Sequence, residues 1–226
     1  MGGKSRSVPV LLFVALIATV GAAQAASFDA FTDFSTASNP NGVWTYGFET
    51  TLGGALTLYD QPSGTTVWRH SVVQSLGAPA DFIAPMTTPT TAAFHPGPTD
   101  QFSVFRFTAP SAAAYSLSSS FSPLDSTTTD VHVLLDNVSI FDGIVDATHS
   151  PTFSTLLALS TGETVDFAVG WGENQNFFSD STALTATLRT VEAVAEPGTL
   201  ALLGTGLIAL SRSAWRRRRQ SVVARP

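Results

Sequence analysis

Residues Thr164 to Trp171 read TVDFAVGW. Val165, Phe167, Val169 and Trp171 alternate with Thr164, Asp166, Ala168 and Gly170. Successive side chains of an extended chain point to opposite faces, so this period of two describes a half-buried strand. Ala113 to Phe121 repeats the pattern, with Tyr115, Leu117, Ser119 and Phe121 set against serines. Leu184 to Val191 does so with Leu184, Ala186 and Leu188 against threonines and Arg189. Val131–Leu135 and Val138–Phe141 flank Asp136-Asn137, a two-residue hairpin signal.

Working outward, Val43–Thr50, Ala55–Tyr59, Val67–Val72, Phe102–Thr108 and Phe153–Leu159 have strand composition and are bounded by Gly, Pro, Asn or Asp. That makes about ten short strands, and no window between them sustains a helical period. The expectation is an all-β domain over residues 27–193, an antiparallel β-sandwich of the jelly-roll kind. Gly77 to Pro98, rich in Pro, Thr and Ala, reads as a long loop.

Charge is segregated along the chain. Residues 27–194 hold 3 arginines, no lysine and 16 acidic residues, a formal charge of -13. Such a body repels nucleic acid at long range and favours solubility. There is no cysteine, which excludes disulfides, thiolate catalysis and cysteine-based metal sites.

The two ends differ from the body. Lys4 and Arg6 precede an apolar run from Val8 to Val20, and Ala23-Gln24-Ala25 supplies the small-x-small pattern of signal peptidase cleavage. Residues 1–25 therefore read as a secretory signal helix, cleaved after Ala25, with Ala26 as the alternative cleavage position. At the other end Thr199–Leu210 is uncharged and contains Gly204 and Gly206. It is shorter than the roughly 20 residues a spanning helix needs and too uniformly apolar for the flank of a soluble core. Arg216, Arg217, Arg218 and Arg219 follow it and would stay cytoplasmic, so the run is a short hydrophobic helix that inserts transiently.

Glu196-Pro197, the Leu/Gly-rich run and the arginine cluster, spanning residues 194–220, together resemble the PEP-CTERM sorting signal, with Ala195 in place of the first proline. The resemblance implies export in a Gram-negative bacterium, recognition by a membrane-embedded exosortase, cleavage near Glu196-Pro197, and delivery to the cell surface or extracellular matrix. The body is similar to jelly-roll carbohydrate-binding modules in its stretches Asn39–Gly47, His95-Pro96-Gly97, Val104–Pro110 and Thr128–Val133.

The chemistry-bearing residues form no recognised catalytic motif. His70, His95, His132 and His149 show no metal-ligand spacing, and a Gly-x-Ser-x-Gly elbow is absent. The expectation is a non-enzyme without catalytic residues. Sugar stacking would need exposed aromatics, for which Trp44 and Tyr46, after the Asn39–Gly42 turn, and Trp68, beside Arg69 and His70, are the candidates, with His95 nearby in the resembling stretch. Trp171 shares the face of Val165 and Phe167 and reads as core or as a sheet-end residue. Turn acids could hold a structural calcium ion, with Asp130 and Asp180 as its ligands; no other cofactor is implied. The first expectation is thus an exported surface protein contacting extracellular polysaccharide. A structural or adhesive matrix protein without a discrete ligand site comes next, and a secreted hydrolase third.

Overall fold

The computed structural model describes residues 25–63, 67–71, 82–85 and 92–191, with backbone alone for 82–85. Ala25 is the first of them. Ala23 and the rest of the signal segment lie outside the described residues, as do Glu196, Pro197, the hydrophobic run and Arg216 to Arg219.

Two antiparallel sheets form the body. The strands are β1 (Ser27–Asp29), β2 (Trp44–Glu49), β3 (Thr57–Leu58), β4 (Gln61–Ser63), β5 (Val67–Arg69), β6 (Phe82–Pro85) and β7 (Ala92–His95). They continue with β8 (Phe102–Thr108), β9 (Ala113–Pro123), β10 (Thr129–Leu135), β11 (Val138–Val145), β12 (Thr152–Leu159), β13 (Thr164–Val169) and β14 (Thr182–Thr190). One sheet runs β12-β9-β14-β7-β6-β5-β4, with β1 also paired to β14. The other runs β11-β10-β13-β8-β2-β3. Between β8 and β14 the chain passes repeatedly from one sheet to the other, the winding of a jelly-roll-like sandwich.

The period-two stretches behave as their sequence requires. Val165, Phe167 and Val169 of β13 and Tyr115, Leu117 and Phe121 of β9 are all in the core between the sheets. Asp136 and Asn137 both take positive φ, 46° and 68°, the conformation of a tight two-residue hairpin loop.

Two departures from alternation matter. The segment expected to be a long loop contains β6 and β7, which pair with each other and extend the larger sheet from β14 to β5. Ala92, Ala93, Phe94 and His95 are all buried, so no alternating face marks this strand in sequence. β2 is buried on both faces. Its inner residues Trp44, Tyr46 and Phe48 join the main core. Its outer face is covered by the segment that follows it. Leu52 and Leu56, with Phe102, pack on a second, smaller cluster of Val104, Leu134 and Ala168.

A charged network fastens that cover. Arg106 donates from Nε and Nη2 to the two carboxylate oxygens of Asp166, each at 2.6 Å. Nη2 also reaches Glu49 Oε1 at 3.3 Å and Asn137 Oδ1 at 2.9 Å. Glu49 Oε2 accepts the Gly53 amide at 2.8 Å. Burial and the neighbouring Asp166 push the Glu49 carboxyl up to about 7. Gly53 has φ +70°, and a Cβ there would collide with the Asn137 carbonyl, so a glycine is required where the cover touches the hairpin.

Candidate functional site

The site lies at one end of the sandwich, on the loop joining β13 to β14, residues 170–181. The sequence there is GWGENQNFFSDS. Short amides stitch this loop to itself: Asn174 Oδ1 accepts the Asn176 amide and Asn176 Oδ1 accepts the Phe178 amide, both at 3.0 Å. Asn174 Nδ2 donates to Thr128 Oγ1. Gly172 takes φ +71°, where a Cβ would strike the Thr128 carbonyl. The loop is thereby pinned against the turn that opens β10.

Three aromatic rings rise from it. Phe177 lies 4.4 Å from Phe178 in a stacked pair and 6.3 Å from Trp171. Trp171 Nε1 donates to Gly97 O at 2.5 Å, which fixes that ring as a half-buried support. Phe178 is 65% exposed, unusual for so large an apolar side chain. Glu173 and Gln175 of the same loop are also exposed.

A furrow runs past Trp171, Gly172, Glu173 and Gln175 of this loop. One cleft of about 600 Å³ lies along residues 142–151. A second of about 400 Å³ shares Asp142, Gly143 and Ile144 with it and reaches Gly172 and Glu173. A third, of about 370 Å³, shares Gly172 with the second and is walled by Asp100, Trp171 and Gln175. Asp100, Asp130, Asp142, Asp146 and Glu173 line these clefts, and the half-exposed Ile144 sits between them.

His132 organises the middle of the furrow. Its Nδ1 lies 2.6 Å from Asp142 Oδ1 and its Nε2 lies 2.9 Å from Asp130 Oδ2. Burial works against the imidazolium, but the hydrogen bonds to Asp130 and Asp142 outweigh it and raise the His132 pKa above its ordinary 6.5. Bonding to Ser139, then to His132, holds Asp142 below the usual carboxylate range. Asp130 Oδ1 accepts the Gly172 amide at 2.8 Å, so the charged trio also anchors the start of the aromatic loop. Ser139 Oγ donates to Asp142 Oδ1 at 2.6 Å rather than to the imidazole. The trio holds β10, β11 and the start of the aromatic loop together as a charged clamp.

The residues expected to stack on sugar are elsewhere and are buried. Trp44 is 1% exposed and Tyr46 0%, which corrects their reading as platforms. Trp44 meets Phe105 edge-on at 5.0 Å, and Trp68 stacks on Tyr46 at 6.2 Å. The physical reason is the segment after β1. Trp68 Nε1 donates to Ser35 O at 2.7 Å, Trp44 Nε1 to Asp33 Oδ2 at 3.3 Å, and the Asn39 amide donates to the carbonyls of Tyr46 and Tyr59. His95 is also buried, with burial lowering its pKa, so it is not a surface ligand. Its ring lies 6.3 Å from Phe177, beneath the aromatic loop.

Asp130 and Asp180 are near the same loop but act as hydrogen-bond anchors. Asp180 Oδ1 accepts the Thr128 amide at 3.0 Å. Asp180 Oδ2 is buried without a hydrogen-bond partner among the described residues, and burial raises the Asp180 pKa. Among the described residues no group of three or more His, Asp or Glu side chains is placed to hold a metal ion. Sequence reasoning missed Phe177 and Phe178. The available signal was two adjacent aromatics in an amide-rich loop with no strand period to bury them.

Several solved structures are similar to the chain at low TM-score. A carbohydrate-binding module CBM51-2 with GlcNAc and INT domains from Clostridium perfringens ZmpB is similar at TM-score 0.37 and 7% identity, covering 73% of this chain and 32% of that one. This chain thus spans about a third of that protein's length. CBM51 from Clostridium perfringens GH95 in complex with methyl-galactose is similar at TM-score 0.36 and 13% identity, covering 72% and 99%. The N-terminal cellulose-binding domain of Cellulomonas fimi β-1,4-glucanase C is similar at TM-score 0.32 and 12% identity, covering 61% and 93%. No curated protein sequence is similar to the chain. At the C-terminus, residues 193–219 match the model of the PEP-CTERM protein-sorting motif. The chain therefore carries the PEP-CTERM sorting motif of exported, exosortase-processed proteins.

Proposed function

We propose that the sandwich contacts a neutral polysaccharide at the cell surface or in the extracellular matrix, through the furrow beside the 170–181 loop. One observation carries this reading: an exposed aromatic, Phe178, stacks on Phe177, whose ring lies 6.3 Å from Trp171 on the wall of a cleft that also holds Asp100 and Gln175. An aromatic face suits the apolar face of a pyranose, while carboxylates and amides accept and donate to its hydroxyls. Five carboxylates line the furrow, so uronate or sulfated chains would meet repulsion there, and an uncharged glycan fits better. The reading is of a binding, non-catalytic surface, in keeping with His132 held between two carboxylates.

Affinity electrophoresis of the mature protein in neutral and uronate polysaccharides tests the reading. Retardation in a neutral glycan should be lost in Phe178→Ala and weakened in Gln175→Ala, with melting unchanged. Retardation in none of the glycans, or retention in both variants, would overturn it. Sorting has its own measurement: mass spectrometry of the surface protein should find termini near Ala26 and near Ala195. A surface form retaining Arg216 to Arg219 would overturn cleavage.

A further inference from the structure

A second cleft system lies on the outward face of the larger sheet. Its volume is about 330 Å³, and among the described residues it is lined by Ser116 and Ser118 of β9 and Thr187 and Arg189 of β14. None of these four belongs to the furrow. The register sets them as two facing pairs, Ser116 opposite Arg189 and Ser118 opposite Thr187. Leu117, Ala186 and Leu188, which alternate with them, are in the core, so the register holds all four outward. Arg189 is exposed and brings the only charge among the four. Arg106, by contrast, is committed within the fold to Asp166 and Glu49.

The hydroxyls of the cleft are not interchangeable. Thr187 Oγ1 donates to Asp29 Oδ2 at 3.0 Å, so toward the cleft it offers a lone pair. Ser118 Oγ accepts from Ser154 Oγ at 3.4 Å, which leaves its own proton to donate. Arg189 presents a planar fork of N–H donors that matches the two oxygens of a carboxylate. Asp29, in register with Thr187, does not fill that role, because its Oδ1 accepts the amides of Phe31 and Thr32 and its Oδ2 accepts Thr187. We propose that this cleft binds a sugar acid, with the uronate carboxylate on Arg189 and Ser118 and a ring hydroxyl donating to Thr187. Leu156, 63% exposed and in register with Ser116, gives the ring an apolar flank. A bare carboxylate or a neutral sugar matches only half of this donor and acceptor set, so the cleft selects a ligand carrying both groups. The body carries -13, so a densely charged polyanion is repelled and the carrier is a chain with few uronates. The site stands apart from the furrow and does not rest on the glycan reading made there.

The scarcity of arginine allows a direct test in the mature secreted protein. Residues 27–194 hold three, so their side-chain Nε–H resonances can be followed one by one, with Arg189 identified by Arg189→Lys and the buried pair of Arg106 as the reference. Glucuronate should shift the Arg189 resonance saturably, with a dissociation constant of about 1–10 mM. Glucose and acetate at matched ionic strength should shift it several-fold less. Ser118→Ala should weaken glucuronate binding several-fold, and Arg189→Gln should abolish the accompanying shifts of the Ser116 and Thr187 amides. Arg189→Lys, which keeps the charge but not the fork, should retain only part of them. An Arg189 resonance that glucuronate does not move, or that acetate or glucose moves equally, would overturn the site. So would amide shifts that persist undiminished in Arg189→Gln. Each result is read without the furrow, whose own test uses neutral glycans and Phe178.

Discussion

His132 on β10 and Asp142 on β11 face each other in register and are joined at 2.6 Å, with the second ring nitrogen of His132 held by Asp130. Both nitrogens donate only when the ring is charged, so the clamp is a property of the imidazolium. The His132 pKa is raised above 6.5 in the folded protein. Its stabilisation is therefore fully present below about 6.5 and is lost as pH rises through the raised value. The Asp142 pKa is depressed below 3.8, so its share is lost as pH falls below that range. The melting temperature should fall by a few degrees from about pH 6 to pH 9. His132→Gln, followed by differential scanning fluorimetry, should flatten that slope, and an unchanged slope would show that the clamp is not charged.

Glu49 gives a second, separable pH dependence. Its carboxyl is buried and pushed up from 4.5 to about 7. A raised carboxyl favours the folded state while protonated and costs stability as pH rises from the unfolded value through the folded one. Glu49→Gln keeps an acceptor for the Gly53 amide but cannot ionise. Between about pH 5 and 8 the variant should lose less stability than the parent, by on the order of 2 kcal/mol. Urea titrations at both pH values measure this. Equal losses would place the pH dependence elsewhere.

Trp68 separates core from platform. The ring is 5% exposed, stacked on Tyr46 and bonded to Ser35 O. Trp68→Ala removes a buried ring and should cost about 3–5 kcal/mol. A loss of glycan binding without a loss of stability would contradict its place in the core.

How much of this was legible depended on which face had a partner that sequence pattern can express. β9 and β13 alternate because one face meets the other sheet, and both were readable strand by strand. The Asp136-Asn137 turn was readable because its positive φ values select those residue types. β2 presented aromatic residues at alternate positions after a turn, and nothing local shows that residues 31–39 return to cover them. β6 and β7 have little strand character of their own, and their pairing with β5 and β14 supplies the context. The site was hidden for a related reason. Phe177 and Phe178 belong to a loop whose shape depends on Thr128 and Asp130, more than forty residues away in sequence.

Gly172 tests that dependence. It takes φ +71°, and a Cβ would meet the Thr128 carbonyl, whereas Gly162, at φ +90°, has nothing within 4 Å. Ala at either position incurs the cost of a left-handed backbone, about 1 kcal/mol or more. Only Gly172→Ala must also push the loop off the turn that opens β10, disturbing the Asp130–Gly172 bond and the rings of Phe177 and Phe178. Gly172→Ala should therefore weaken retention in a neutral glycan several-fold at temperatures where it stays folded, while Gly162→Ala should lose only stability. Equal retention by the two variants would mean that the loop's position against Thr128 does not set the binding surface.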